Sequence, residues 1–278
     1  MFAQSPDNYD ISLEKYRVGD NNSATAFQTH SIQVKVLSQP LNQGGNGILR
    51  IHAEYDYTKM NFNENKELFN DMEHFHSAKL MFGYIKQLTN PKWSFMGAVI
   101  PQLNSNFTNG ISGDDFYCDV LAVLNYSRQK NTRFSMGLAY INSRGFPVPI
   151  PVLNYWKAYN NKWEMNLGFP RVNLIHHFNN KNSLIAFSEI KGYNSNISED
   201  INDPAFKANR KAQRISYRDI LAGLEWQYKL KKYRFKINAG YTINREFKLQ
   251  DKDNDTAYKF DMNNNFNIGI GIGIDFDL

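Results

Sequence analysis

Residues 265–278 read NFNIGIGIGIDFDL, with a large apolar side chain at every second position from Phe266 to Leu278 and a glycine or polar residue between each pair. Side chains of a β-strand alternate between two faces, so this stretch specifies a strand that is apolar on one side and nearly bare on the other. At about 3.3 Å per residue it is long enough to cross an apolar layer of roughly 25 Å, even when tilted.

The same period recurs along the chain. In ILRIHAEYDY, Leu49, Ile51, Ala53, Tyr55 and Tyr57 share one face, while Arg50, His52, Glu54 and Asp56 share the other. Ala78, Leu80, Phe82 and Tyr84 oppose Ser77, Lys79, Met81 and Gly83. Ile220, Leu224, Trp226 and Tyr228 oppose Asp219, Gly223, Glu225 and Gln227, and Phe235, Ile237 and Tyr241 oppose Arg234, Lys236 and Asn238. Less regular versions cover 93–103, 116–127, 134–142 and 184–193. Only 63–74 reads as helical, as a turn within a loop. No linker or composition break divides the chain, so 1–278 is read as a single all-β domain, with a short N-terminal segment, 1–9, outside its strands.

Many amphipathic strands fit either a soluble sandwich with its apolar faces inward or a membrane barrel with its apolar face outward. A soluble closed barrel of this length would enclose a void, because side chains fill the interior only up to about eight strands. Tyr57, Tyr84, Trp93, Tyr126, Trp163, Trp226, Tyr228 and Tyr233 sit toward strand ends, as rings at two membrane interfaces do. The favoured fold is a single antiparallel transmembrane β-barrel. Working back from a periplasmic C-terminus, long and short connections alternate if Gly168-Phe169-Pro170-Arg171 is a tight outer reversal. That gives 14 strands; one bent strand over 163–178 and no strand over 11–18 gives the alternative of 12.

Composition removes several other classes. No run approaches 18 apolar residues, so no transmembrane helix is expected. Cys118 is the only cysteine, which excludes an internal disulfide. A net charge of +5, from 32 Lys and Arg against 27 Asp and Glu, is too mild to indicate a nucleic-acid partner. Phe2-Ala3-Gln4 resembles the end of a secretory signal around its cleavage site, so the expected location is the bacterial outer membrane, in mature form.

Several segments carry a family resemblance: Glu67 to Leu80, Lys92-Trp93-Ser94, Pro101 with Ser105-Asn106-Phe107, Gly137 to Tyr140, Pro149 to Tyr155, Lys162-Trp163 and Gly168-Phe169-Pro170. In order and spacing, from about residue 30, they resemble a Bacteroidetes outer-membrane β-barrel family classed as a domain of unknown function. The resemblance implies a barrel in the outer membrane and supplies no catalytic residues. The end of the chain also resembles the signal read by barrel-assembly machinery, with Phe276 two positions before the terminus.

A direct search for chemistry finds little. His30-Ser31 and His76-Ser77 are adjacent and so face opposite sides of a strand, unlike the His and Ser two residues apart in outer-membrane lipases. His74 and His76 share a face near Asp71 and Glu73, but solvated loop-end histidines explain them better than a metal site. Asp251, Asp253 and Asp255 are spaced as in a calcium loop, yet Thr256 and Met262 replace the required glycine and glutamate. Asn209 to Arg214 is basic and is read as a solvated loop, with lipopolysaccharide phosphates as the alternative partner. No enzyme activity, cofactor or metal is expected.

The functional reading therefore rests on a polar set expected to face the lumen: Arg50, His52, Glu54, Asp56, Lys79, Asp219, Glu225, Arg234, Lys236, Gly269, Gly271, Gly273 and Asp275. Both charge signs are mixed, so no strong ion preference is expected. A passive channel or transporter for small solutes ranks first, a closed structural or accessory subunit of an outer-membrane complex second, and a lipid-modifying enzyme a distant third. Expected partners are outer-membrane lipid and lipopolysaccharide, the assembly machinery, and other outer-membrane proteins.

Overall fold

The computed structural model describes residues 9–18, 25–37, 47–62, 72–204, 206–207, 210–260 and 262–276. Its strands are β1 (Tyr9–Val18), β2 (Thr25–Leu37), β3 (Gly47–Phe62), β4 (His74–Gln87) and β5 (Trp93–Ser105). They continue with β6 (Phe116–Gln129), β7 (Thr132–Ile141), β8 (Phe146–Ala158), β9 (Trp163–Gly168) and β10 (Arg171–His177). The last are β11 (Asn182–Ile201), β12 (Ala212–Leu230), β13 (Tyr233–Gln250), β14 (Thr256–Phe260) and β15 (Asn265–Phe276). From β1 to β13 each strand pairs with the next, antiparallel; β13 then pairs with β15, and β15 with β1. The sheet thus closes on itself as an all-β barrel, with β14 paired, among the described residues, to β13 alone.

Closure assigns the alternation its two sides. Along β15, Phe266, Ile268 and Ile270 are 74%, 63% and 58% exposed, whereas the intervening Asn267 is 1% exposed and Gly269 is buried. Along β12, Leu224 and Trp226 are exposed while Leu221 and Glu225 are buried. The apolar set lies outside and the polar set inside, opposite to a soluble protein. The reversal expected at Gly168-Phe169-Pro170-Arg171 separates β9 from β10, which pair antiparallel with Asn173 opposite Asn166. Pro101, which has no N–H to donate, sits where the β4–β5 ladder skips from Lys79–Gln102 to Phe82–Val99. Of the helical turn expected over 63–74, residues 63–71 lie outside the described residues, and β4 starts at His74.

Two connections read from the sequence as long loops, 195–213 and 248–264, are partly strand. β11 runs on to Ile201 and β12 begins at Ala212, while β13 continues to Gln250 and β14 folds back on it. The reason is packing. Met60, Met72, Phe75, Ile197, Ile215, Phe247, Leu249 and Phe260 form a buried apolar cluster at this end, so the extensions have a core of their own. A bulge in β13 makes this possible: Asn244, at φ 51, shifts the β12–β13 register between Arg218 and Ile220. Below it Thr242 and Asn238 point inward; above it Arg245, Phe247 and Leu249 do, which the simple alternation of Tyr233 to Ile243 does not foretell.

β11 also changes its neighbour on one edge: it stays paired with β12 as far as Asn196, but its pairing with β10 ends at Glu189. Asn194, Ser195, Asn196 and Ile197 are buried in succession, so this segment is covered on both faces, and Asn196 pairs in parallel with Ser105 of β5. Ile197 belongs to the apolar cluster, while Asn196 Nδ2 donates to Asp115 Oδ1 at 2.7 Å and Ser105 Oγ lies 3.3 Å from the Asn196 carbonyl. The long-loop end of the barrel is thereby partitioned by its own strand. Gly192 permits the approach: a Cβ there would lie 2.3 Å from the carbonyl oxygen of Arg144, in the turn between β7 and β8.

Candidate functional site

Of the polar residues expected to act together, all but Asp275, whose side chain lies outside the described residues, lie on the shielded side of the ladder, and the register explains their grouping. Glu54 of β3 is directly opposite Lys79 of β4, and Asp56 is two residues further on. Lys79 Nζ stands 2.6 Å from both Glu54 Oε1 and Asp56 Oδ2, with His52 Nε2 3.9 Å from Glu54 Oε2. An ammonium shared by two carboxylates is a fixed cross-strand clamp, whose loss would strand buried charge. Arg50 is half-buried on the same face.

A second clamp joins three strands. Arg171 of β10 reaches Glu189 of β11 at 3.5 Å and Glu225 of β12 at 3.4 Å, with Phe187 stacked under the guanidinium at 4.3 Å. Glu225 also accepts from Gln227 Nε2 at 2.6 Å. Asp219 is buried and accepts from Tyr217 at 2.7 Å, and Arg245 Nε reaches the same Tyr217 hydroxyl at 3.3 Å. Sequence reading missed Arg171, Glu189 and Arg245. The first two were legible as alternating positions of β10 and β11, whereas the third is hidden by the bulge.

The glycine column of β15 lies beside cations. Gly271 and Gly273 pair with Lys236 and Arg234 of β13, and Gly269 with Asn238. Gly269 and Gly273 are buried, Gly271 half-buried, and none carries a side chain to crowd the long cations next to it. Asp275 pairs with Asp10 of β1.

The other candidates have ordinary partners. His74 Nδ1 and His76 Nδ1 bond the hydroxyls of Tyr57 and Tyr55 at 2.5 and 2.6 Å, and no group of three metal-ligating side chains occurs among the described residues. The Asp251 to Asp255 turn is closed by Asp251 Oδ1, which accepts from the Asp253 and Asp255 amides, and Arg210 bridges the Asp251 and Asp255 carboxylates. Burial works against ionised Asp251, but Arg210 and those amides outweigh it and hold the carboxyl below the usual aspartate range. Of the basic stretch 209–214, Asn209 lies outside the described residues, Arg210 and Arg214 are tied to this hairpin, Arg214 through the Lys252 carbonyl, and Lys211 pairs with Asp200 of β11.

The opposite end of the shielded side is different. Between the β8–β9, β10–β11 and β12–β13 turns lies a cavity of about 220 Å³, lined by His177, Lys181, Ser183, Gln227, Lys229 and Arg234 with turn asparagines. His177 Nδ1 is 2.8 Å from Ser183 Oγ, and its Nε2 is 3.0 Å from Glu164 Oε1.

Similar architectures occur among solved structures at very low identity. The COG4313 outer membrane channel from Pseudomonas putida F1 aligns with a TM-score of 0.52 at 7% identity, over 99% of this chain and 97% of that one. The structure titled KdgM porin aligns at 0.39 and 8% identity over 96% and 99%, and the TodX monoaromatic hydrocarbon channel deltaS2 mutant at 0.43 and 11% over 100% and 91%. At such identities the likeness concerns the barrel fold alone. No curated protein matches this sequence. Residues 7–277 match the family described as Domain of unknown function (DUF6268), and the chain belongs to that family.

Proposed function

We propose that this protein is an integral outer-membrane β-barrel that serves as a passive channel for small solutes, with the shielded face as its lumen wall. The observation that carries this reading is the inversion of the two faces: a closed ladder with Phe266, Ile268, Ile270 and Leu224 outside and charged or amide side chains inside. Buried oxygens of Asn238, Asn267 and Asp219 without a protein partner are in keeping with a wet interior. The Pseudomonas putida barrel is titled a channel, and the shared architecture is what that name lends here. The reading includes no catalysis and no cofactor. Of the N-terminal segment 1–9 expected outside the strands, Tyr9 opens β1 and 1–8 lie outside the described residues, as does the Asp275 side chain; the reading places the chain in the outer membrane of a Bacteroidetes bacterium. Lipid, lipopolysaccharide and the assembly machinery are its partners in this reading.

Planar-bilayer recording tests it. Refolded protein is expected to give discrete current steps, small in the parent because β11 partitions the long-loop end, and larger in Phe247→Ala. Background current from both proteins would remove the channel. The second reading, a closed accessory barrel of a larger assembly, is favoured specifically by the apolar cluster at the long-loop end. Its readout is a co-purifying outer-membrane protein after gentle detergent extraction, and free monomer alone would count against it.

A further inference from the structure

We propose that Ser183, His177 and Glu164 form a hydrolytic centre at the short-turn mouth, acting on short-chain esters of water-soluble alcohols; this goes beyond the channel reading and holds whether or not the barrel conducts. Register brings the three together. His177 of β10 stands directly opposite Ser183 of β11, and Glu164 of β9, opposite Ile175, is its diagonal neighbour. The His177 amide donates away from β11, to the Lys162 carbonyl at 2.7 Å, so 177 and 183 form a pair without mutual backbone bonds, the kind whose side chains come closest.

The hydrogen bonds assign the roles. A carboxylate only accepts, so Glu164 Oε1, 3.0 Å from His177 Nε2, keeps the proton of the neutral imidazole on that nitrogen and leaves Nδ1 an acceptor. Ser183 Oγ, 2.8 Å from Nδ1, therefore donates to it. Glu164 is itself oriented by Trp156 Nε1, which reaches Oε2 at 3.4 Å. Nucleophile, base and orienting acid in hydrogen-bonded series meet the geometric requirement of a catalytic triad. No spacing within one strand reveals the pair, since the serine and histidine come from neighbouring strands.

A cavity beside them supplies room for a substrate. His177 and Ser183 both line the space of about 220 Å³, together with Asn179, Asn180 and Gln227. Asn179 Oδ1 accepts from the Lys181 and Asn182 amides, so N–H is what its side chain offers the cavity. Gln227 faces Ser183 across the β11–β12 ladder and donates from Nε2 to Glu225 Oε1 at 2.6 Å, which uses one of its two N–H groups. Such neutral donors beside the nucleophile suit the oxyanion of a tetrahedral intermediate. The volume is several times the roughly 30 Å³ share of one water, enough for an acyl group of a few carbons. All three side chains lie on the shielded side, while Trp163 and Leu174 of the same hairpin are exposed on the apolar side, so the substrate arrives through water.

In the reaction, Ser183 Oγ bonds the ester carbonyl carbon as its proton passes to His177 Nδ1. The alcohol leaves with that proton as the ester C–O bond breaks. Water then attacks the acyl-serine, giving a proton to His177, which returns it to Ser183 Oγ as the carboxylic acid departs.

The test uses the full protein in nanodiscs of ether-linked phosphatidylcholine, which contain no carboxylic ester. A fluorophosphonate should lose fluoride and form an adduct at Ser183, located by peptide mass spectrometry, and p-nitrophenyl acetate should be hydrolysed. S183A and H177N should each be at least about a hundredfold slower, and the double variant no slower than either. Gln227→Ala should slow hydrolysis about tenfold or more while keeping the fold. A purely structural chain of hydrogen bonds gives neither the adduct nor that non-additivity. No adduct at Ser183 in the parent, a readout that needs no variant to refold, overturns the site, as does unchanged hydrolysis in S183A. Faster turnover of p-nitrophenyl palmitate than of the acetate overturns the assignment to soluble esters. Hydrolysis without bilayer current would remove the channel and leave the site standing; current without hydrolysis would do the reverse.

Discussion

At the long-loop end, the shielded sides of β12 and β13 carry Ile215, Phe247 and Leu249, all fully buried, whereas at the short-turn end the same two strands carry Gln227, Lys229 and Arg234 around a cavity. The charges differ in the same way. Acids and bases at the long-loop end are tied together, as Arg210 is with Asp251 and Asp255, while the short turns are almost uniformly basic. One continuous sheet therefore has one end built like a soluble core and the other like a wet, charged mouth. The strand that passes from one to the other, β11, changes role at Gly192, from wall element to partition.

The largest expected effect separates the two ends. Phe247→Ala removes a ring packed 4.7 Å from Phe260 in the apolar cluster and should cost about 3–5 kcal/mol, against less than about 1 kcal/mol for Gln227→Ala. Folding titrations into lipid vesicles measure both, and equal losses would erase the contrast. Next in size, Leu224→Arg, outward at mid-strand, should destabilise by about 2–4 kcal/mol and Leu230→Arg at the rim by no more than about 1 kcal/mol, because the lipid cost of a charge falls with depth. The same titrations measure these, and equal costs would contradict a bilayer around the apolar side.

Gly192→Ala should follow at about 1–3 kcal/mol, since the added Cβ meets the Arg144 carbonyl oxygen at 2.3 Å and must push the β7–β8 turn away. Faster tryptic cleavage after Arg144 reports that displacement, and unchanged cleavage would free β11 from the turn. The smallest effect is a pH response at the hairpin tip. Asp251 titrates below its ordinary value near 3.8. Its contribution is therefore complete above that pH and is lost as the pH falls through the lower value of the folded protein. Asp251→Asn should loosen the tip at neutral pH to the extent that acid loosens the parent, measured by hydrogen exchange at 251–255.

Much of this was legible from alternation alone. The period-2 runs placed the outward apolar set, and Gly168 and Pro170 placed a reversal that the pairing of β9 with β10 shows. The clamp of Lys79 on Glu54 and Asp56 follows from inward charges on adjacent strands once the register is known. The partition was not legible, because NSNI at 194–197 is a polar run with no periodic signature and its partners, Ser105 at the end of β5 and Asp115 in the turn before β6, are remote from it in the strand order. Arg245 and Phe247 were hidden for another reason: one residue in a left-handed conformation, Asn244, reverses which positions face inward. The cavity at the short-turn end escaped because its residues come from four strands and two turns, each unremarkable in sequence.

The contrast between the ends is tested most directly by cysteine labelling on a single strand. In a Cys118→Ser background, Gln227→Cys and Ile215→Cys place one thiol at each end of β12, on the same shielded side. We expect a sulfonate-bearing methanethiosulfonate to modify position 227 readily, faster than its ammonium counterpart, and to leave position 215 unmodified. Equal rates at 215 and 227 would contradict a closed, apolar long-loop end and an open, basic short-turn end.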